Sequence, residues 1–276
     1  MSNTATVLAF DFGASSGRAI RAVYDGQNLT YEEIHRFENV PIEKDGHLCW
    51  DVETLLKEIH TAIQKAGTFD SLGFDTWGVD FGLLDTDGHL LANPVHYRDV
   101  RTNGKLEQAA ARMPAEELYA HTGNQIMAIN TLFQLLALRE QDPELLQKAE
   151  QILFMPDLFA ALLGAEPVCE RSIASTSQML DPRTGQWSRE VLAAYGLNAN
   201  RFAPLVASGT VTGTLANGAK IIAVAGHDTQ CASAAMPCAE EDAEHTAFLS
   251  CGTWSLLGVE NAAAITGPVQ TEKSTT

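Results

Sequence analysis

LAFDFGASSGRAIRAVYDG, residues 8–26, joins two apolar runs through Gly13-Ala14-Ser15-Ser16-Gly17. The first run, Thr6–Phe10, leads into Asp11; the second, Ala19–Tyr24, follows Arg18 and stops at the turn signal Asp25-Gly26. Strand, glycine loop, strand is the pattern of a hairpin. A strand rather than a helix follows the loop, and Gly-x-Gly-x-x-Gly is missing, so the stretch does not open a dinucleotide-binding fold. A Gly-Lys-Ser/Thr ending is missing too, so it is not a P-loop. With 21 glycines in the chain, about 1.6 Gly-x-x-x-Gly spacings arise by chance, and the spacing alone decides nothing.

Two readings of the loop stand at this point. It is a plain turn with a solvated Asp11. Alternatively it is an anion cradle, in which glycines admit close backbone approach and serines add donors. The aspartate suits the second reading only if Mg²⁺ lies between carboxylate and phosphate, usually through water.

Outward from this stretch, Leu29–Phe37 alternates as a third strand. Asp51 is placed to cap a helix over Val52–Ala66, with Leu55, Leu56, Ile59 and Ile63 on one face and Gly67 to end it. A strand is expected at Ser71–Asp75 and a hairpin across Thr86-Asp87-Gly88. Residues 101–163 read as helical in five pieces: Lys105–Met113, Ala115–His121, Thr131–Glu140, Pro143–Gln151 and Pro156–Leu163. Ala207–Gly218 reads as a loop, and strand signals return at Ile221–Ala225 and Thr246–Ser250. The order predicts an α/β fold whose opening strands are antiparallel.

The 276 residues suffice for one large or two medium domains. A net charge of −17 argues against nucleic acid or an anionic membrane as partner. Five cysteines without Cys-x-x-Cys spacing read as free thiols in a reducing compartment. The first residues lack a basic signal-peptide region, and no apolar run approaches a membrane span. A cytoplasmic protein is expected.

Three further segments carry chemistry. AVAGHDTQCASAAM puts His227 and Asp228 at the carboxyl end of a strand, where α/β clefts form. Asp228 is placed to accept a proton from a substrate hydroxyl, or merely to start the next helix. FDTWGVDF sets Asp75, Trp77 and Asp80 around Gly78, an aromatic plane beside hydroxyl acceptors that suits a polyol, or a tryptophan buried in a core. HYRDVRTNG adds Arg98, Asp99 and Arg101, readable as a structural charge knot. His227 and Cys231 stand four apart without a second ligand pair, so zinc is not supported. No Gly-x-Ser-x-Gly elbow is present. Finally, TAFLSCGTWSLLGVE, residues 246–260, shares the design of the first hairpin: apolar strand, glycine with hydroxyls, apolar strand. This is an internal repeat of two related domains or a coincidence of pattern.

These residues carry a resemblance. FDFGASSGRA, HRFENVPIEKDGHLCWDVETL, GFDTWGVDFGLLD, HYRDVRTNG, NTLFQLLAL, LFMPDLFAALLG, AGHDTQCASA and FLSCGTWSLLGVE together resemble the FGGY carbohydrate kinases of the actin/Hsp70/hexokinase-like ATPase superfamily. The resemblance implies a ribonuclease H-like, actin-like ATPase domain: a mixed sheet with antiparallel opening strands and flanking helices. It implies phosphoryl transfer from ATP to a small-molecule sugar, with Mg²⁺. By position, Ala14, Ser15, Ser16, Gly17 and Arg18 form the first phosphate loop, and Thr253 of a second loop contacts the nucleotide. Asp11 holds the metal through water. Gly78, His227, Asp228 and Thr229 bind the sugar, with Asp228 the catalytic base. Another ketose or polyol kinase of the same family, or a non-catalytic sugar-binding module, are the alternatives. Members of the family continue for roughly two hundred further residues. The chain is therefore expected to be a fragment: residues 1–244 as the amino-terminal domain, and 245–276 as only the start of a second, similar one.

Overall fold

Strand β1 (Ala5–Phe12) alternates as the sequence requires, with Leu8, Phe10 and Phe12 fully buried. It runs antiparallel to β2 (Ser16–Tyr24), which pairs antiparallel with β3 (Leu29–Glu38). The computed structural model describes residues 4–239, 242, 245–251, 255–261 and 263–267. Helix α1 (Val52–Ala66) has the predicted bounds and lies against β2 and β3. Asp51 Oδ1 accepts from Thr54 N–H at its start, and Gly67 takes a left-handed φ of 66° at its end.

After α1 the chain enters the sheet on the far side of β1. Strand β4 (Ser71–Thr76) is parallel to β1, and Asp11 and Asp75 are register partners. Stacking of Phe10 on Phe74, with ring centroids 4.8 Å apart, ties the two strands in the core. Strand β5 (Phe81–Leu84) leaves the main sheet. The turn at residues 86–88 forms, with Gly88 N–H donating to Asp85 O, and its flanks pair through Asp85 N–H to His89 O, Leu91 N–H to Leu83 O and the antiparallel bridge Leu84–Leu90.

The predicted run of helices is realised at Lys105–Ala110, Ala115–Thr122, α2 (Thr131–Gln141) and Pro143–Lys148. It is then broken by a strand that the sequence reading folded into the helical stretch. That strand is β6 (Gln151–Phe154), antiparallel to β5. Ile152, Leu153 and Phe154 are all buried, and a continuous apolar run of that length has no period to tell strand from helix. Helix α3 (Met155–Leu162), with Pro156 in its first turn, packs on β4.

A second correction falls at Ala207–Gly218. The expected loop contains strand β7 (Thr210–Thr214), which forms the far edge of the sheet against β8 (Lys220–Ala223). Its Thr-Val-Thr core is β-branched and suits an edge, and a bulge between Val211 and Gly213 breaks the alternation. The six-stranded order is β7-β8-β4-β1-β2-β3, parallel across β8-β4-β1 and antiparallel at both flanks. This is the mixed sheet with antiparallel opening strands that was expected. Short helix α4 (Arg171–Ser175) precedes β7, and α5 (Asp228–Ala234) follows β8. Apart from the main sheet, β9 (Ala247–Cys251) and β10 (Ser255–Val259) form an antiparallel hairpin like β1-β2. All five cysteines are free. Among the described residues no helix is long and apolar enough to cross a membrane.

Candidate functional site

Three parallel elements end side by side. Asp11 stands at the end of β1, Asp75 at the end of β4, and the chain after β8 continues the sheet by one bridge, His227 to Thr76. Thr76 N–H donates to Gly226 O at 2.9 Å, which pins the segment before α5 to the sheet. Strand carboxyl ends are where open α/β sheets place their clefts. Here a cavity of about 600 Å³ opens, lined by Asp11, Gly13, Ala14 and Arg18 on one side and by Gly78, His227, Asp228 and Thr229 on the other. Hairpin β9-β10 contributes Ser250 and Leu256 to its wall.

The glycine loop meets part of the cradle description. Gly13 N–H donates to Ser16 O, Asn39 N–H to Ser15 O, and Asn39 Nδ2 to Gly13 O, so the loop carbonyls are tied back. Among the described residues the N–H groups of Ala14 and Ser15 have no acceptor. Oriented free amides of this kind are an anion's natural contacts. Arg18 reaches across, with Nε 2.7 Å and Nη2 2.6 Å from Asp11 Oδ2. Ser15, Ser16 and Gly17 do not line the cavity. Gly17 is instead demanded by packing, because a Cβ there would overlap the ring of Phe37. Thr253 lies outside the described residues.

On the opposite side Asp228 opens α5, and His227, not Asp228, is its N-cap. His227 Nδ1 lies 2.7 Å from Asp228 Oδ1, and Thr229 N–H donates to the same carboxylate oxygen at 2.5 Å. Burial pushes the Asp228 carboxyl up, but the His227 contact and the Thr229 donors outweigh it and hold the group below its usual range. Asp75 goes the other way. Burial first, then the negative charges of Asp11 and Asp228, raise it to about 8. The cation set against this negative charge is Arg18, paired with Asp11.

Gly78 fits this wall for a steric reason. A Cβ there would sit 3.0 Å from Thr176 Cγ2 and 3.3 Å from His227 Nε2. The next residue, Val79, holds a left-handed φ of 68°, which a β-branched side chain rarely adopts. Its conformation is clamped from both ends. Val79 N–H donates to Thr176 Oγ1 at 3.0 Å, and Val79 O accepts from Thr131 Oγ1 at 2.6 Å and Gln134 Nε2 at 3.3 Å.

The polyol reading of FDTWGVDF is corrected at Asp80. That carboxylate is 1% exposed and faces the core. Oδ2 accepts from Trp50 Nε1, Trp77 Nε1 and Tyr97 N–H, and Oδ1 from Gln134 Nε2, at 2.6 to 3.1 Å. Burial raises Asp80 to about 6 against these hydrogen bonds. Its acceptor capacity is spent on indoles, so it anchors the turn and does not meet a ligand. Trp77 reaches the cavity while stacking on Trp50. Among the described residues no ion pair joins Arg98 or Arg101 to Asp99, so the expected charge knot does not form. Asp99 accepts from Leu48 N–H and Arg101 N–H, and Arg98 lies over the Tyr97 ring. Sequence reasoning missed Asn124, Gln125 and Thr176, which also line the cavity from loops and a helix end without a recognisable motif.

Over residues 6–234 the chain matches the N-terminal domain of the FGGY family of carbohydrate kinases. It is 41% identical over 271 residues to a rhamnulokinase from Bacteroides thetaiotaomicron, covering 94% of this chain and 55% of that protein. It is 40% identical over 267 residues to a rhamnulokinase from Halalkalibacterium halodurans, covering 92% and 56%. The chain thus spans about half the length of the curated relatives it matches. Among solved structures, a xyloylose kinase from Brucella ovis superposes with a TM-score of 0.78 at 22% identity, covering 95% of this chain and 55% of that one. A carbohydrate kinase from Novosphingobium aromaticivorans gives 0.78 at 21% identity, covering 96% and 58%. At such identities the likeness is one of fold.

Proposed function

Because this chain belongs to the FGGY family of carbohydrate kinases, we propose that it carries the sugar site and catalytic base of an ATP-dependent kinase. The proposed reaction converts L-rhamnulose to L-rhamnulose 1-phosphate. The observation that carries the reading is the cavity lined by Asp228 together with Gly13, Ala14 and Arg18 of the first turn. Phosphoryl transfer asks a protein chiefly for positioning and for charge stabilisation.

The residues divide accordingly. Asp228, held ionised by His227 and Thr229, accepts a hydrogen bond from the attacking hydroxyl and takes its proton as the new P–O bond forms and the bond from the γ-phosphorus of ATP to its bridging oxygen breaks, releasing ADP. His227, Thr229 and Gly78 border the sugar, with Gly78 admitting it close to the imidazole. The free N–H group of Ala14, which lines the cavity, donates to a phosphate oxygen, and Arg18 offsets the phosphate charge. Ser16 and Gly17 shape the loop from behind, and Thr253 is the proposed nucleotide contact of the second loop. Asp11 fits a magnesium ion held through water, its oxygen donors and acidic neighbours being of the kind that ion prefers. When bound, the ion supplies neutralisation of the phosphate charge. We take residues 1–244 as the amino-terminal kinase domain and hairpin β9-β10, within 245–276, as the opening of a second, on the likeness of the two hairpins. Free thiols throughout suit a cytoplasmic setting.

The test is calorimetric titration of L-rhamnulose, L-fuculose and D-xylulose into the 276-residue chain. Preferential binding of L-rhamnulose, weakened in Gly78→Val, supports the reading. Preference for another ketose moves the protein to another activity within the family. Binding of none overturns the sugar-site assignment.

A further inference from the structure

A second cavity, of about 310 Å³, lies away from the sugar site, between the hairpin Ile42–Cys49, β5 and the end of α2. Its size is at the lower end for a small-molecule site. Phe81, Leu83, Leu138 and Leu145 make most of its wall apolar. Into that wall is set Arg101, only 7% exposed, with its guanidinium 5.9 Å from the Phe81 ring centroid. Among the described residues its side chain makes one hydrogen bond, Nη2 to Gln134 Oε1 at 2.6 Å. Nε is buried and has no acceptor.

A buried cationic donor left unpaired is costly, and proteins rarely keep one without a use. The acids close by favour its charge but give Nε no acceptor. Asp80 spends its oxygens on the indoles and Gln134, and Asp99 accepts from Arg101's backbone N–H rather than its side chain. Asp142, on the cavity rim, caps the next helix by accepting from Leu145 N–H. Asp45 lines the same wall beside Lys44 and makes no ion pair with Arg101 among the described residues. Gln134 cannot turn to relieve Nε, because its own amide is held by Asp80, Ile129 O and Val79 O. What matches an apolar pocket with one buried guanidinium is a small molecule with an apolar body and an oxyanion head.

We propose that this cavity is a second ligand site, which takes a short organic anion by seating its carboxylate or phosphate against the Arg101 guanidinium that lines it. Through Gln134 the seat is one side chain from the clamped Val79 turn. Alanine 92 sits exposed on the rim, where a large side chain closes the entrance without entering the core.

The test uses the 276-residue chain and does not depend on kinase activity. Propionate, methyl phosphate and the neutral 1-propanol are titrated while the Arg101 Nε–H resonance is followed by ¹H–¹⁵N NMR. The expected result is a saturable downfield shift with propionate or methyl phosphate and none with 1-propanol. The stronger of the two anions identifies the head group. In Ala92→Trp the apparent affinity falls at least tenfold, and Arg101→Met loses binding altogether. Absence of a saturable shift with both anions overturns the proposal. So does undiminished affinity in Ala92→Trp, which would place the binding elsewhere.

Discussion

Gly17→Ala separates the two reasons a glycine could occupy the end of the first loop. Gly17 faces Phe12 on β1 and Phe37 on β3 as a register partner of both. A Cβ added there comes within 3.0 Å of Phe12 Cδ1 and overlaps the Phe37 ring. That ring is boxed in by Phe12 at 5.2 Å and His35 at 5.6 Å between centroids, so it has little room to swing. Overpacking of this kind costs about 1–3 kcal/mol, against a gain of about 0.4–1 kcal/mol from a stiffer unfolded chain. The net loss is about 1.5 kcal/mol, a fall of about 0.5 M in the urea midpoint for a slope near 3 kcal/mol per M. Equilibrium unfolding followed by tryptophan fluorescence measures it. Phe37→Ala makes room for the methyl group, so in that background Gly17→Ala should cost almost nothing. An equal cost in both backgrounds, or none in either, would refute the packing argument and return Gly17 to the phosphate loop.

Other perturbations have expected outcomes of the same kind. In a chain extended to its relatives' full length, Asp228→Asn is expected to lower kcat by ~10²–10⁴ while sugar affinity by calorimetry stays within a few-fold; a near-normal kcat would remove Asp228 from the base role. Thr176→Val takes away the acceptor of Val79 N–H, and a loss of about 1–3 kcal/mol in urea unfolding is expected, with weaker sugar binding. Unchanged stability would show that the clamp is not needed. Asp80, raised by burial to about 6, contributes stability that is present below its ordinary 3.8 and is lost as pH rises through 6. The wild type should therefore shed about 2 kcal/mol between pH 4 and pH 7 that Asp80→Asn does not, and parallel pH profiles would contradict the assignment.

Where a local signal sufficed, the sequence was legible. Asp51 and Gly67 bound α1 because capping and a left-handed terminus are properties of single residues. That Asp11, His227 and Asp228 line one cavity could be read from sequence, because each follows an apolar strand and strand ends gather in space. Ile152–Phe154 and Thr210–Thr214 were not readable as strands, since their assignment depends on partners 60 or more residues away in one case and on a bulged edge in the other. Thr176 acts by touching Gly78 and Val79 from another loop, which no spacing announces. Asp80 misled for the converse reason: carboxylate beside tryptophan looks like a sugar contact, but its second indole comes from Trp50, across the core.

The left-handed Val79 has a bearing on how this protein would respond to selection. A β-branched residue at φ 68° carries strain of about 1–3 kcal/mol, which glycine or asparagine at that position would release. A library screened for heat resistance alone should enrich substitutions at residue 79. The same variants would slacken the turn that sets Gly78 against His227. Position 79 is thus a place where survival at high temperature and fidelity to a ligand pull a lineage in opposite directions.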